Sequence, residues 1–347
     1  MLPADKFDYW KNELESVQSC PVCGGLDARI EYSGLRDCLE NVPGKWSMRR
    51  CPSCDGFFLD PRPKSDAIHK AYRTYYTHKS STTANLNDNG VSMPWRLING
   101  YLNKCYRAKR FPASRLGCLL IPLFFPLKQQ LDYFFRHLPA YSGRLLDVGC
   151  GNGGFLLRLK DTGWSALGLE PDPLAVRSAL ESGVDVVEGT LESFALELAF
   201  DVVTASHVIE HVQDPRRFLQ TIYRSLTPGG TIWLATPNVL GLGHTWYRSA
   251  WRGLEPPRHL VLFSAKALKI LLIDAGFVDV KFRRRGRGAK SILNASANLA
   301  FCQGQPKRWV LPAFLIDIAA SLFSSAAEEL VVTAMRPAWL RENSLLG

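Results

Sequence analysis

Eight residues constrain the fold of this chain more than any others. Asp147-Val-Gly149-Cys-Gly151-Asn-Gly153-Gly154 follows an apolar run at Arg144–Val148 and leads into an amphipathic run at Gly154–Thr162. Glycines between a strand and a helix open backbone conformations closed to other residues. They also let main-chain N–H groups approach a ligand at the start of the helix, where an anionic group is favoured. The next strand-like run, Ala166–Glu170, ends in a carboxylate nineteen residues after Gly151. From the end of a second strand an acid reaches both hydroxyls of a ribose. A turn of glycines with no ligand is the alternative, and the strand–turn–helix setting argues against it.

The flanking sequence repeats the pattern. Further strands are expected at Asp185–Glu188, Asp201–Ala205, Thr231–Ala235, Val278–Phe282 and Leu330–Met335. Helices are expected at Leu174–Ser182, Pro215–Ser225 and Ala265–Ala275. Alternation at this spacing predicts an α/β fold with a doubly wound, Rossmann-like sheet, mostly parallel with its last strand antiparallel, covered on both faces. Asp214-Pro215 and Ser264 are helix starts, and Gly276 is a helix stop. The expected organisation is a Cys-bearing module at 1–62, a helical, basic and aromatic cap or linker at 63–137 with a polar joint at 80–92, and the core at 138–283. A basic loop with an apolar helical insertion follows at 284–327, then the last core strand and tail at 328–347.

The spacing Gly149-x-Gly151-x-x-Gly154 also satisfies the dinucleotide fingerprint. Asp147 separates the two ligands. An anion there disfavours a pyrophosphate, whereas it attracts the ammonium of a zwitterionic, sulfonium-bearing ligand.

Four segments in order carry a family resemblance. Leu145-Leu-Asp-Val-Gly-Cys-Gly-Asn-Gly-Gly154 resembles the first motif of class I S-adenosylmethionine-dependent methyltransferases, and Gly168-Leu-Glu-Pro-Asp172 resembles their second. Phe200-Asp-Val-Val-Thr-Ala-Ser-His-Val-Ile-Glu-His211 and Leu226-Thr-Pro-Gly-Gly-Thr-Ile-Trp-Leu-Ala-Thr-Pro-Asn238 resemble their fourth- and fifth-strand motifs. The wider pattern, with Cys pairs ahead and Pro257-Arg-His-Leu-Val-Leu-Phe-Ser264 behind, resembles bacterial methyltransferases of surface-glycan clusters. The resemblance implies S-adenosylmethionine as cofactor. Asp147, Gly149, Gly151 and Gly153 would line its amino-acid end, Glu170 would hold the ribose, and His207 would face the methionine part. Thr190-Leu191 stands where the family often has Asp-Leu reading the adenine; the hydroxyl of Thr190 is a weaker partner than a carboxylate.

Methyl transfer from a sulfonium needs alignment and desolvation, and a hydroxyl acceptor also needs a base. The candidate bases are His207, Glu210, His211, His244 and His259. His259 is the first choice because it follows Glu255-Pro-Pro-Arg258, a constrained stretch expected over the active site; the alternative is a packing role beneath that lid. His207 and His211 are four apart and are further catalytic candidates. They lack a third metal ligand, and Glu210 and His211 are equally suited to supporting the next helix. Trp246, Tyr247 and Trp251 either line an acceptor pocket or form the lid's own core.

Cys20-Pro-Val-Cys23 and Cys51-Pro-Ser-Cys54 are separated by twenty-seven residues. Each pair ends in a tight turn, and together they offer four thiolates in the pattern of a structural Zn²⁺ ribbon. Cys38 is not expected to be a ligand. The first eight residues carry acids and no apolar core, so no signal peptide is read there and a reducing cytosol is expected.

The net charge of +10 is concentrated in two segments. No acidic residue lies between Asp88 and Asp132 or between Asp279 and Asp317, and these stretches hold fifteen Lys and Arg. Within the first, Leu116–Leu127 is apolar but too short to cross a bilayer. It fits either a cap packed on the core or an element on a membrane surface through 95–128; Trp309–Ala327 is broken by Pro312 and Asp317. Arg283-Arg-Arg-Gly-Arg-Gly288 suits a phosphate, a polyanion or nothing. The expected activity is O-methylation of a small-molecule, sugar or glycan acceptor, lipid-linked, in the cytoplasm or at the inner face of the membrane. An RNA methyltransferase is the second reading, with nucleic acid the lesser partner, and a non-catalytic cofactor-binding scaffold is the third.

Overall fold

The computed structural model describes residues 9–73, 92–194, 199–305 and 312–338. The leader reading at 1–8, the polar joint over 80–91, the first residues of the Trp309 run with Lys307 and Arg308, and the tail beyond 338 lie outside the described residues.

Strands β1 (Leu14–Glu15), β2 (Arg29–Leu35), β3 (Trp46–Arg50), β4 (Phe57–Leu59) and β5 (Arg62–Pro63) open the chain. Helices α1 (Met93–Tyr106), α2 (Gly117–Leu120) and α3 (Phe125–Phe134) follow. The core then runs β6 (Arg144–Val148), α4 (Gly154–Leu159), β7 (Ser165–Glu170), α5 (Pro173–Glu181), β8 (Val186–Glu188), β9 (Phe200–Ser206), α6 (Pro215–Ser225) and β10 (Leu226–Pro237). After it come α7 (Leu242–Tyr247), β11 (Val261–Leu262), α8 (Ala265–Asp274), β12 (Val278–Arg283), α9 (Ala289–Cys302), α10 (Ala313–Leu322) and β13 (Glu329–Met335).

Seven strands form one sheet in the order β12-β13-β10-β9-β6-β7-β8. It is parallel throughout except for β13, which inserts antiparallel between β10 and β12. The expected fold class is therefore present, with strand ends within a few residues of the periodicity. The caps act as their chemistry requires. Asp214 accepts from Arg217 N at 3.0 Å, Ser264 accepts from Ala267 N at 3.0 Å, and Gly276 takes φ +97° after α8. The order reverses between β6 and β9, which places a ligand crevice at the carboxyl ends of β6, β7, β9 and β10.

The Cys module is joined more tightly to the core than a boundary at residue 62 implies. Its sheet has the order β11-β4-β3-β2, and β11 comes from 261–262, beyond the core's fifth strand. Val261 pairs with Phe58 and Leu262 with Phe57. Two residues of strand carry no periodicity to read, so this junction is a tertiary fact. Phe57, Phe58, Val261 and Leu262 are all buried in the same apolar core as Val203 and Leu234 of the main sheet. Burial of this seam in both units makes them fold as one body.

Candidate active site

A cavity of about 1140 Å³ lies at the carboxyl ends of the core strands. One wall is the glycine turn and the end of β7. Gly149 takes φ +65°, and a Cβ there would meet Val208 Cγ2 at 2.5 Å; Gly151 takes φ +55° with open space where a Cβ would stand. Both line the cavity. At Gly151 a side chain would occupy the ligand volume itself, so the missing Cβ is what makes the cradle. Gly153 does something different. It takes φ +77°, does not line the cavity, and a Cβ there would strike Val184 Cγ2 at 2.6 Å, so its role is close packing of α4 on α5 and the β8 approach.

Glu170 lines the same wall, with its side chain buried. Its Oε2 accepts from Gly151 N at 2.8 Å and its Oε1 from Asp172 N at 3.1 Å. Burial raises its pKa, and these two main-chain donors oppose the rise. Each oxygen keeps a lone pair for a further donor such as a ribose hydroxyl. Thr190 and Leu191 also line the cavity, but the Thr190 hydroxyl faces Ser193 Oγ at 3.4 Å. Leu191 is buried, and the pair offers an apolar contact for an adenine more than a polar one.

Asp147 departs from its expected role. It is fully buried, does not line the cavity, and is held by Arg136 and by Thr204 Oγ1, the latter at 3.0 Å. Burial raises its pKa against the pull of Arg136. The Arg136 guanidinium stacks 3.8 Å from the Phe155 ring centre. Both contacts go to Oδ1, and Oδ2 is buried with no hydrogen-bond partner among the described residues. Arg136 follows α3, nine residues beyond the apolar run Leu116–Leu127 of the cap, and no motif marks it.

His207 also departs from the expectation of a base. It sits at φ +56° at the end of β9, with Nδ1 3.2 Å from Glu210 Oε1 and Nε2 2.8 Å from Glu329 Oε1. Its side chain is 38% exposed, and that surface faces the cavity rather than bulk solvent. Burial works against the charged ring, but the two carboxylates prevail and raise its pKa well above the usual value. Both glutamates are pulled down to about 2, against their own burial, first by His207. An imidazolium with both nitrogens engaged cannot take a proton. Arg285 Nε completes the group at 3.0 Å from Glu329 Oε2, so the arginine run is partly structural. His207→Gln is expected to lower stability by about 2 kcal/mol near pH 6, less than a fully enclosed pair because the ring is partly open. The glutamates gain from ionisation above their unfolded pKa near 4.5, and the His207 contribution is full below its unfolded pKa near 6.5 and is lost as pH rises through its raised folded value. The deficit of the variant should therefore shrink below about pH 4.5, as its unpaired carboxylates take up protons. Thermal melts across pH test this.

Two further candidate histidines, His211 and His259, line the same cavity. His259 is buried, its Nδ1 donates to Gly253 O at 2.7 Å, and burial lowers its pKa to about 4. Its ring packs edge-on against His211 with centres 4.7 Å apart. His211 Nδ1 lies 3.1 Å from Arg258 O and 2.8 Å from the Tyr72 hydroxyl. The Arg258 carbonyl only accepts, so that contact needs a proton on Nδ1, whereas the Tyr72 hydroxyl can accept or donate. Both rings line the cavity, together with Tyr72, Trp251 and Glu255. Of the aromatic candidates in the lid, Trp251 reaches the cavity, with Nε1 donating to Glu328 Oε2 at 2.8 Å; Trp246 and Tyr247 are not among its lining residues. His244 is buried against Tyr32, 3.0 Å from its hydroxyl, and plays a packing role. Tyr72, at the end of a short 3₁₀ turn in the cap, was not legible as a site residue. Glu210, His211 and His259 each place one donor atom within 4.8 Å of the others; His207 is not in this group, so the His207–His211 spacing does not mark it.

The four cysteines converge. Cys20 Sγ lies 3.6 Å from Cys54 Sγ, Cys23 Sγ lies 3.5 Å from Cys51 Sγ, and all four fall within 4.8 Å of one another. Tetrahedral Zn–S bonds of about 2.3 Å set sulfurs about 3.8 Å apart, so this donor set fits a zinc ion. The two knuckles are built alike: Gly24 N donates to Cys20 O and Asp55 N to Cys51 O, each at 2.9 Å. A hydrogen bond from Cys54 pulls the Cys20 thiol down to about 5, and the same contact pushes Cys54 up. Cys38 stands outside the group.

The cysteine knuckles are coupled to the cavity wall. Arg258, adjacent to His259, is fully buried and forms a two-pronged pair with Asp37 of the Cys module, both bonds at 2.8 Å. Its Nε donates to Glu255 at 2.9 Å. Asp37 loses solvation on burial, yet Arg258 holds it below the usual carboxylate range. Ser264 Oγ donates to Cys54 O at 2.7 Å.

Sheet order and the glycine turn after the first core strand define a doubly wound, Rossmann-like fold with a ligand cradle at the carboxyl edge of its sheet. Residues 124–281 match the family model described as a methyltransferase domain. Among curated relatives, the mitochondrial ubiquinone biosynthesis O-methyltransferase of Schizosaccharomyces pombe is 32% identical over 31% of this chain and 44% of its own length. The ubiquinone biosynthesis O-methyltransferase of Pseudomonas entomophila is 40% identical over 31% of this chain and 50% of its own. The chain thus spans about half the length of the curated relatives it matches. A solved S-adenosylmethionine-dependent methyltransferase from Mesorhizobium loti is 20% identical, covering 60% of this chain and 98% of that one at a TM-score of 0.41.

Proposed function

We propose that this chain is an S-adenosylmethionine-dependent methyltransferase acting on a hydroxyl, with a structural zinc ion in its Cys module. The observation that carries the reading is one cavity lined both by the donor cradle of Gly149, Gly151 and Glu170 and by the His211 and His259 rings. S-Adenosylmethionine supplies, when bound, an electrophilic methyl group. Gly149 and Gly151 give its backbone-side volume, and Glu170 is placed to take the ribose hydroxyls. His259 Nε2, or His211 Nε2 beside it, takes the proton from the acceptor oxygen. The Gly253 carbonyl holds the His259 ring in the required tautomer. Trp251 gives the cavity an apolar, water-poor lining. The relatives named as O-methyltransferases support transfer to oxygen. The acceptor we favour is a sugar or glycan intermediate on a lipid carrier, supported by the apolar walls formed by Tyr72, Trp251 and Ile292.

Isothermal calorimetry with S-adenosylhomocysteine tests the donor site, and transfer of labelled methyl into lipid-linked glycan, phenolic quinone precursor or RNA tests the acceptor. His259→Ala is expected to lower kcat about 10²- to 10⁴-fold while donor binding stays unchanged. Because burial holds His259 near 4, the acid limb of the parent's kcat/KM profile should fall near pH 4, not near 6.5. Full rate in His259→Ala and His211→Ala alike would exclude both rings as bases.

A further inference from the structure

The cap and the insertion after β12 leave apolar surface uncovered. On α2, the 3₁₀ turn after it and the start of α3, Leu119 is 70% exposed and Leu123 72%, with Phe124 and Phe125 beside them. On α10, Phe314, Leu315, Ile318 and Leu322 are exposed, and Phe323 after it is 65% exposed. The two sets meet. Gln129 Nε2 donates to Ser321 O at 3.0 Å, and Pro126 and Ser321 both pack around Gly286. Phe124 and Phe125 therefore precede one side of that junction, and Leu322 and Phe323 follow the other. An apolar face of this extent exceeds the scattered exposure of an ordinary surface.

Exposed cations accompany it. Arg115 directly precedes the exposed Leu116, Lys104, Arg107 and Lys109 are exposed at and just beyond the end of α1, which packs against α2, and no acid occurs in sequence between Asp88 and Asp132. Among the described residues no helix is long and apolar enough to cross a membrane. Short helices with apolar side chains outward and accompanying cations are the pattern of an element seated in the headgroup layer. A second copy of the chain is the poorer occupant, since it would bring two sets of cations together.

We infer that the joined faces of α2, α3 and α10 dock this protein on the surface of a bilayer containing anionic phospholipid. The face is one helix away from the cavity. α10 packs on α9, and Ile292 of α9 lines the cavity on one side and meets a small space with Ile316 and Ala320 of α10 on the other. Docking thus holds the cavity close to a membrane-borne acceptor. That consequence rests on the proposed function, whereas docking itself does not.

Flotation of the full chain with vesicles separates the two, because it involves no methyl transfer. The chain should float with phosphatidylcholine vesicles carrying about one-third phosphatidylglycerol, and much less with phosphatidylcholine alone or at about 1 M salt. Leu119→Glu/Leu123→Glu and Phe314→Glu/Ile318→Glu should each lower the bound fraction about tenfold or more. Lys109→Glu/Arg115→Glu should lower it on anionic vesicles alone. Unchanged circular dichroism and S-adenosylhomocysteine affinity establish that the variants fold. No flotation with anionic vesicles, equal flotation of folded variants, or a dimer in solution that Leu119→Glu/Leu123→Glu separates would each overturn the inference.

Discussion

Glu170→Ala is expected to weaken binding of S-adenosylmethionine or S-adenosylhomocysteine at least about 100-fold. Two hydrogen bonds from ribose hydroxyls to an ionised, buried carboxylate are worth about 1.5 kcal/mol each or more, and about 2.7 kcal/mol corresponds to a 100-fold change in affinity. The carboxylate also shapes the cradle. It accepts from Gly151 N and Asp172 N, so its removal leaves two main-chain donors without partners at the edge of the binding volume. Glu170→Gln separates these contributions, because the amide oxygen preserves one main-chain bond while its NH₂ opposes the other donor. It should bind more weakly than the parent and more tightly than alanine. Calorimetry provides the comparison. Parent-like affinity in Glu170→Ala would remove the donor site from this wall.

Stripping metal from the Cys module is expected to destabilise the whole chain. Structural zinc contributes about 10–16 kcal/mol in small peptides that fold around it. Here β11 and the Arg258–Asp37 pair bind the module to the wall carrying His259. Chelation, or Cys54→Ser, should therefore lower Tm by about 10 °C or more. It should also reduce methyl transfer, because His259 loses the neighbour that anchors its loop. Asp37→Ala probes the coupling without touching a thiol. It removes both Asp37 bonds and leaves the buried Arg258 with Glu255 as its carboxylate partner, a loss of up to about 3–5 kcal/mol, and should raise the acceptor KM or lower kcat while metal content stays at one ion per chain. Scanning fluorimetry and elemental analysis provide the readouts. A purified chain holding far less than one zinc, with chelator-insensitive melting, would remove the ion from the account.

His207 shows how sequence position and chemical role diverge. Its place at the end of β9 was legible, because the strand's apolar alternation and the following Val-Ile-Glu-His211 mark the carboxyl edge of the sheet. Its protonation was not. Glu210 is three residues away, but the second carboxylate, Glu329, lies 122 residues along the chain. Asp147 followed the same course, since Arg136, the residue that pairs with its Oδ1, belongs to the cap.

The order of strands and helices, the glycine cradle, the acid at the end of β7 and the four clustered thiols were determined by the sequence alone. The first three are matters of period and turn conformation with their cause within a few residues, and the thiols are marked by two short Cys-x-x-Cys spacings twenty-seven residues apart. Tertiary structure alone decided which ionisable groups are free to act. His207 became a fixed cation and His259 a neutral ring, Asp147 was paired with Arg136, and the Cys module was sewn to the cavity wall through β11 and Arg258. Charge state and burial depend on what packs from distant parts of the chain, and the electrostatic energy of a buried group is set by those partners and not by its neighbours in sequence.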